Sequence, residues 1–407
     1  VFLRRVTTHP ATDPEVRLGQ GAFLVLRLAD LLSPDRDTVQ DDAFRYQWAA
    51  TERYCTELEV EGPEGVHLSG LVHAVKEVHR QNDPRLLSPA FLAYALFLEE
   101  AAHYDEAADA LETLLRVGGD RLSIADRTAA WLRLGRARRK VARFDEADQA
   151  YVRAAELAAN TGDASSVLLS RLGQANVLHG RGNLAEGERA LRAILEDAQR
   201  QSLRTIEALA HHQIGSLLDV RGQVFEGIPH LWKAYELYED DASRLRALSD
   251  LGMDFLAMGD ADSAERALTE VVRRSSQQEA VLNAMVELMH SASYRRDRLT
   301  FGRRRAECEA RVADMPPNVL TDYCLKAGIG FARFGNFNKA RGLLAEALAI
   351  AAEHGLHEFE FRIERIQSGL EQCQTALREE EAILSAEPVA QPPAVREVSA
   401  SLAALAV

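Results

Sequence analysis

TAAWLRLGRARRKVARFDEADQAYVRAAELAAN, Thr128 to Asn160, carries its apolar and small side chains on two helical stripes. Trp131, Leu134 and Gly135 fall on the first stripe, and Phe144, Ala147, Tyr151 and Ala154 on the second. The pattern breaks at Ala142-Arg143, where the chain must turn. Gly135 and Ala147 let the two helix backbones approach, while Trp131 and Tyr151 fill the space beside them. Neither helix buries its stripe alone, so each hairpin requires a neighbour. The neighbours are legible from a small residue that recurs at Ala107, Ala147, Gly187, Gly227, Ala264, Gly302 and Ala340, with gaps of 40, 40, 40, 37, 38 and 38 residues. A period near 40 denotes stacked supersecondary units rather than one globular core, and it predicts binding along an extended surface.

The spacing Trp-x2-Leu-Gly-x8-Phe-Asp-Glu-Ala-x3-Tyr-x2-Ala, carried by Trp131, Leu134, Gly135, Phe144, Asp145, Glu146, Ala147, Tyr151 and Ala154, resembles the tetratricopeptide repeat. The period exceeds the usual one of about 34 residues, which makes this the long-repeat variety. The resemblance implies an all-α, right-handed α-solenoid of helix–turn–helix units, with the first helix of each unit lining a concave groove. Matched to that pattern, the groove positions are Ala129, Leu132, Arg136, Arg139 and Lys140, then Leu169, Leu172, Asn176 and His179. They continue through His212, Ser216 and Asp219 to Arg246, Ser249 and Met253. The predicted peptide-binding groove is therefore Arg136, Arg139, Lys140, Asn176, His179, His212 and Arg246. Its cationic end suits carboxylates, and its asparagine suits peptide backbone.

Turn glycines are expected at Gly182, Gly222, Gly259 and Gly335, where a helix end needs positive φ. The sixth unit, around His290 to Glu309, is degenerate: His290 stands where a small residue is expected, and Asp297 where the turn glycine is. It also holds a basic cluster, Tyr294-Arg295-Arg296-Asp297-Arg298 with Arg303-Arg304-Arg305, read as a surface salt-bridge network. Four regions follow: residues 1–85 as a helical region, either a degenerate repeat or a small bundle (helices near 14–32, 38–60 and 65–80), 86–356 as about seven repeats, 357–386 as a capping helix, and 387–407 as a flexible tail whose apolar end, SLAALAV, has docking on a partner or on the array as its alternative.

Composition narrows the function classes. A net charge of −14 over 407 residues argues against non-specific nucleic-acid binding. No apolar stretch reaches the roughly 18 to 20 residues of a membrane span, and the opening VFLRR is too short for a signal peptide. The four cysteines, Cys55, Cys308, Cys324 and Cys373, lack metal or redox spacing and read as buried thiols in a cytoplasmic protein. His67, His73 and His79 lie six apart, which does not place them on one helix face for a metal. The recurrent Asp105-Glu106 and Asp145-Glu146 sit where helix N-termini favour negative charge, not where acid–base chemistry is needed. No phosphate loop, dinucleotide fingerprint, nucleophile elbow or HExxH motif occurs. The expectation is a non-enzymatic scaffold without cofactor or metal, holding a peptide or helix of a partner protein. A peptide-responsive regulator of the bacterial type is the alternative reading. The partner and the oligomeric state stay open.

Overall fold

A single left-handed residue closes every hairpin of the repeat. The structure is a computed structural model that describes residues 1–8, 13–33, 41–376 and 391–405, with the backbone alone for residues 41 and 371–376. Helices α1 (Arg4–Thr8), α2 (Pro14–Asp30), α3 (Asp41–Leu58) and α4 (Pro63–Gln81) form the N-terminal region. Seven hairpins follow: α5–α6 (Ser88–Glu100, Tyr104–Gly118), α7–α8 (Ile124–Lys140, Phe144–Thr161), α9–α10 (Ala164–Gly180, Leu184–Arg200), α11–α12 (Arg204–Val220, Val224–Leu237), α13–α14 (Asp241–Ala257, Ala261–Arg274), α15–α16 (Gln278–Tyr294, Arg298–Glu309) and α17–α18 (Pro317–Arg333, Phe337–Glu353). Helices α19 (His357–Ala376) and α20 (Pro393–Leu405) complete the described chain, which is all-α.

The hairpin turns place Ala102, Ala142, Gly182, Gly222, Gly259, Arg296 and Gly335 at φ between 55° and 83°. The residue after each donates its N–H to a carbonyl five back, as in Arg143 N–H to Arg138 O at 2.9 Å and Gln223 N–H to Leu218 O at 2.8 Å. These bonds satisfy carbonyls that the helix end leaves open.

This turn frame corrects the expected register of the sixth unit. Asp297 does not replace the glycine; Arg296 does, at φ 55°, and Asp297 caps α16 by accepting the Thr300 N–H at 3.0 Å. The repeated small residue lies five positions after the turn, which selects Phe301 rather than Gly302 and makes the last two gaps 37 and 39 residues. Phe301 is 2% exposed, whereas a Cβ on Gly302 would meet nothing within 4 Å. By the same count Met289, not His290, takes the small position of the first helix. The crowding is relieved one hairpin later: a Cβ on Gly330 of α17 would fall 2.3 Å from the Phe301 ring.

The chain divides into two compact units, Val1–Arg200 and Gln201–Val407, each described by itself. In the first, α2, α3 and α4 do not stand apart from the repeats. Leu18, Leu58, Leu68 and Leu71 share one apolar core with Phe91, Tyr94, Leu98, Leu111 and Leu114 of the first hairpin. Buried Arg5 ties α1 to this body, donating to Glu15 and Glu64 at 2.9 and 2.8 Å and to Glu106 Oε1 at 2.9 Å. In the second hairpin, Tyr151 lies between glycines of two helices. A Cβ on Gly135 would come within 2.8 Å of its ring and one on Gly173 within 2.3 Å.

In the second unit, Ile363 and Leu370 bury α19 against the seventh hairpin. The expected flexible tail is corrected over most of its length. Val395, Val398 and Leu402 of α20 are buried against α12 and α14, and Gln391 Nε2 donates to Asp260 Oδ2 at 2.9 Å. The spacing of three apolar residues on one helical face supplies the reason. Of the expected capping helix and tail, residues 377–390 and 406–407 lie outside the described residues.

Candidate functional site

The predicted positions lie on the first helices of successive hairpins, three, six, ten and thirteen residues before the turn, with Lys140 two before it. In the first unit, Arg136 is 54% exposed, with Nε 3.5 Å from Glu99 Oε2, and Arg133 donates to Glu99 Oε1 at 3.1 Å. Burial raises the Glu99 pKa, and the two arginines oppose that rise. Part of the expected positive patch is thus already countered by Glu99. Arg139 is half-buried and acts on the Tyr151 hydroxyl, whose pKa burial pushes up and Arg139 pulls down. His179 is held below its ordinary pKa first by burial and then by Arg139, so it is neutral at pH 7. The half-buried Asn176 amide makes no side-chain hydrogen bond among the described residues. Exposed Lys140 lies 5.9 Å from the Tyr104 ring centre. Arg139, Tyr151 and His179 therefore form a connected group around the second hairpin.

The second unit treats its predicted residues differently. His212 is a correction: its ring is buried, with Nδ1 2.9 Å from Tyr238 Oη and Nε2 2.7 Å from Asp250 Oδ2. Both nitrogens are occupied, so the side chain holds α11 to α13 instead of facing a ligand. Arg246 stays exposed and helps line a cavity of about 300 Å³ with Ser243, Ser249, Asp250, Glu279 and Asn283. Hydroxyl, amide and guanidinium donors stand in this wall beside the Asp250 and Glu279 carboxylates, a mixture that suits peptide groups.

The sequence reading missed two buried polar clusters of this unit. Asp254 is 4% exposed, and burial together with Asp219 and Asp250 raises its pKa to about 8. The Asp219 carboxyl, also raised by burial, acts on it, and at about 8 Asp254 retains its proton at neutral pH. The signal was there to find: five residues before the turn, other hairpins bury Ala137, Val177 and Leu217. The second cluster is Lys326, buried between Glu287 and Asp322. Burial opposes the ammonium charge, but the two carboxylates outweigh it and raise the Lys326 pKa. Beside them His290 is driven well below its ordinary pKa by burial, then by Lys326, Arg333 and Arg362, and its Nδ1 has no partner among the described residues.

Other residues of interest are packed individually. Cys55, Cys308 and Cys324 are buried thiols, each pushed up to about 12 chiefly by burial, and the Cys373 side chain lies outside the described residues. His79 stacks on Phe44 at 3.8 Å, and His67 faces Phe97 at 5.0 Å. Among the described residues no group of three or more His, Cys, Asp or Glu is placed to hold a metal ion, and no helix is long and apolar enough to cross a membrane.

No protein-family model matches the chain, and no curated protein matches it in sequence. Solved structures do. The Rap conjugation gene regulator of plasmid pLS20, solved in complex with the Phr* peptide, is 12% identical at a TM-score of 0.51, covering 90% of this chain and 99% of that one. A signal transduction ATPase with numerous domains and a tetratricopeptide repeat sensor, from Pyrococcus horikoshii, is 12% identical at 0.51, covering 89% of this chain and 56% of that one. The fold is a tetratricopeptide-like helical solenoid, as the repeat spacing predicts.

Proposed function

We propose that this protein is a non-catalytic binding scaffold whose first-helix faces take an extended peptide or a helix of a partner protein. One observation carries the reading. Around the second and third hairpins, Arg139, Asn176 and His179 keep polar groups at half-exposed first-helix positions, while the hairpins themselves are held by Gly135, Tyr151 and Gly173. Arg136 and Arg139 supply forked donors for carboxylates, and the Asn176 amide supplies a donor and an acceptor for a peptide group. The Arg246 cavity offers the second unit a similar polar wall.

Fluorescence anisotropy with an acidic peptide library tests the proposal. Asn176→Ala is expected to weaken the selected peptide roughly tenfold, the loss of about 1.4 kcal/mol, without changing the melting temperature. Unchanged affinity for both Asn176→Ala and Arg139→Gln removes the site. A second reading, a regulator that changes shape when a peptide binds, is supported by the Rap-type fold extending over 90% of the chain. A change in the small-angle scattering envelope on peptide addition selects the regulator, and an unchanged envelope the static scaffold.

A further inference from the structure

The seventh hairpin, α19 and Arg296 of the preceding turn line an open-sided cavity of about 350 Å³ inside the second unit. Ile329, Ala332, Phe337, Ile366 and Leu370 make its wall apolar, Gly369 widens it, and Arg296 and Arg333 are its charged lining. The volume lies at the lower end of small-molecule pockets, which combine apolar walls with a few placed polar groups.

Three features are not accounted for by packing. Gly369 sits inside α19, where a Cβ would meet nothing within 4 Å. Glycine disfavours a helix interior relative to alanine, so its effect here is open space rather than close approach. Arg296 occupies the left-handed turn position that the other six hairpins give to alanine or glycine. A long side chain held in that region is a strained choice. Arg296 Nη1 donates to the Arg333 carbonyl at 3.0 Å, while Arg333 Nη1 donates to Ser293 Oγ at 2.6 Å and the Arg333 Cζ lies 3.7 Å from the Tyr294 ring centre. Neither guanidinium has a carboxylate partner among the described residues, whereas nearby Arg295, Arg304 and Arg305 each do. In a chain of net charge −14, two uncompensated guanidinium groups beside an apolar cavity are a specific arrangement.

We propose that this cavity binds a small apolar carboxylic acid, with its chain among Ile329, Phe337, Ile366 and Leu370 and its carboxylate on Arg296 and Arg333. Guanidinium forks match a planar carboxylate, and the apolar wall supplies the remaining affinity. Recognition is reversible and involves no bond change. Ile329 and Ala332 stand six and three residues before the Gly335 turn, the register of the first-helix face, while Arg296 and Gly369 stand outside it, so variants at these two test the cavity apart from the peptide-binding reading.

Isothermal titration of the full chain with octanoate, 1-octanol and octylamine tests it. Octanoate is expected to bind roughly tenfold or more tightly than either neutral or cationic analogue. Arg296→Gly relieves the left-handed strain, so the melting temperature holds or rises while octanoate affinity falls roughly tenfold and octanol affinity stays. Gly369→Leu fills the cavity from a helix position with room for it; octanoate binding is lost with the melting temperature held or raised. Equal affinities for octanoate and octanol overturn the proposal. So does absent octanoate binding, or octanoate binding unchanged in either variant. A peptide ending in leucine with a free carboxylate that binds tighter than octanoate at the same residues overturns the small acid in favour of a chain terminus.

Discussion

The second and sixth hairpins solve one packing problem in two ways. In α7–α8 the backbones approach over Gly135 and Ala147, and the large residue, Tyr151, projects between Gly135 and Gly173. In α15–α16 the two small positions hold Met289 and Phe301, both buried, and the space that Phe301 needs is provided by Gly330 of the following hairpin. The repeat thus conserves a volume shared between neighbouring hairpins, not a small residue at a fixed position. Where bulk moves from one helix to another, a glycine moves with it.

The sharpest way to break this comparison is Phe301→Ala against Gly302→Ala. With Phe301 in the core, its truncation is expected to cost about 4 kcal/mol in urea unfolding, while Gly302→Ala stabilises by about 0.5 to 1 kcal/mol. The reverse order restores the register read from sequence. Tyr151→Ala in the second hairpin should match Phe301→Ala in size, since both fill a glycine-lined gap.

Next in size is a pH effect centred on Asp254 of the fifth hairpin. Asp254 keeps its proton up to about pH 8 in the folded chain, under the influence of burial, Asp219 and Asp250, but releases it near pH 4 when unfolded. The stability associated with the protonated form is fully present below pH 4 and is lost as pH rises through 8. Between pH 5 and 8 this amounts to roughly 3 kcal/mol relative to Asp254→Asn, measured as the difference between two denaturation series. Parallel series for the two proteins would remove Asp254 as the source. Ala137, the matching position of the second hairpin, carries no titratable group, so uncharged substitutions there should show no matching slope.

The smallest effect compares the turns. Ala142→Gly and Arg296→Gly each remove a side chain from the left-handed region, and each is expected to stabilise by up to about 1 kcal/mol. A loss in both shows that the side chains, not the backbone, set those turns. Calorimetric melting temperatures decide.

Local pattern was enough for the helices of the N-terminal region. The expected spans 14–32, 38–60 and 65–80 correspond to Pro14–Asp30, Asp41–Leu58 and Pro63–Gln81. Pro and Gly breaks and apolar spacing act within a few residues, so they are readable in one chain. The candidate site was only partly legible. Arg136, Arg139, Asn176 and His179 lie on first helices at the predicted positions, but the counter-charge on Arg136 comes from Glu99, a full hairpin away. His212 illustrates the limit most clearly. A first-helix position identifies a face, while Tyr238 and Asp250 determine whether the ring is open to that face or closed by partners.

By itself, the sequence determined the near-40 period, the hairpins, the turn glycines and the all-α class, because each depends on contacts between residues close along the chain. Tertiary structure alone decided the register of the sixth unit, the protonated Asp254 carboxyl, the docking of α20 on α12 and α14, and the cavity beside Arg296 and Arg333. Those depend on which side chains meet across hairpins, where volume and charge balance among several helices at once and no local period records the outcome.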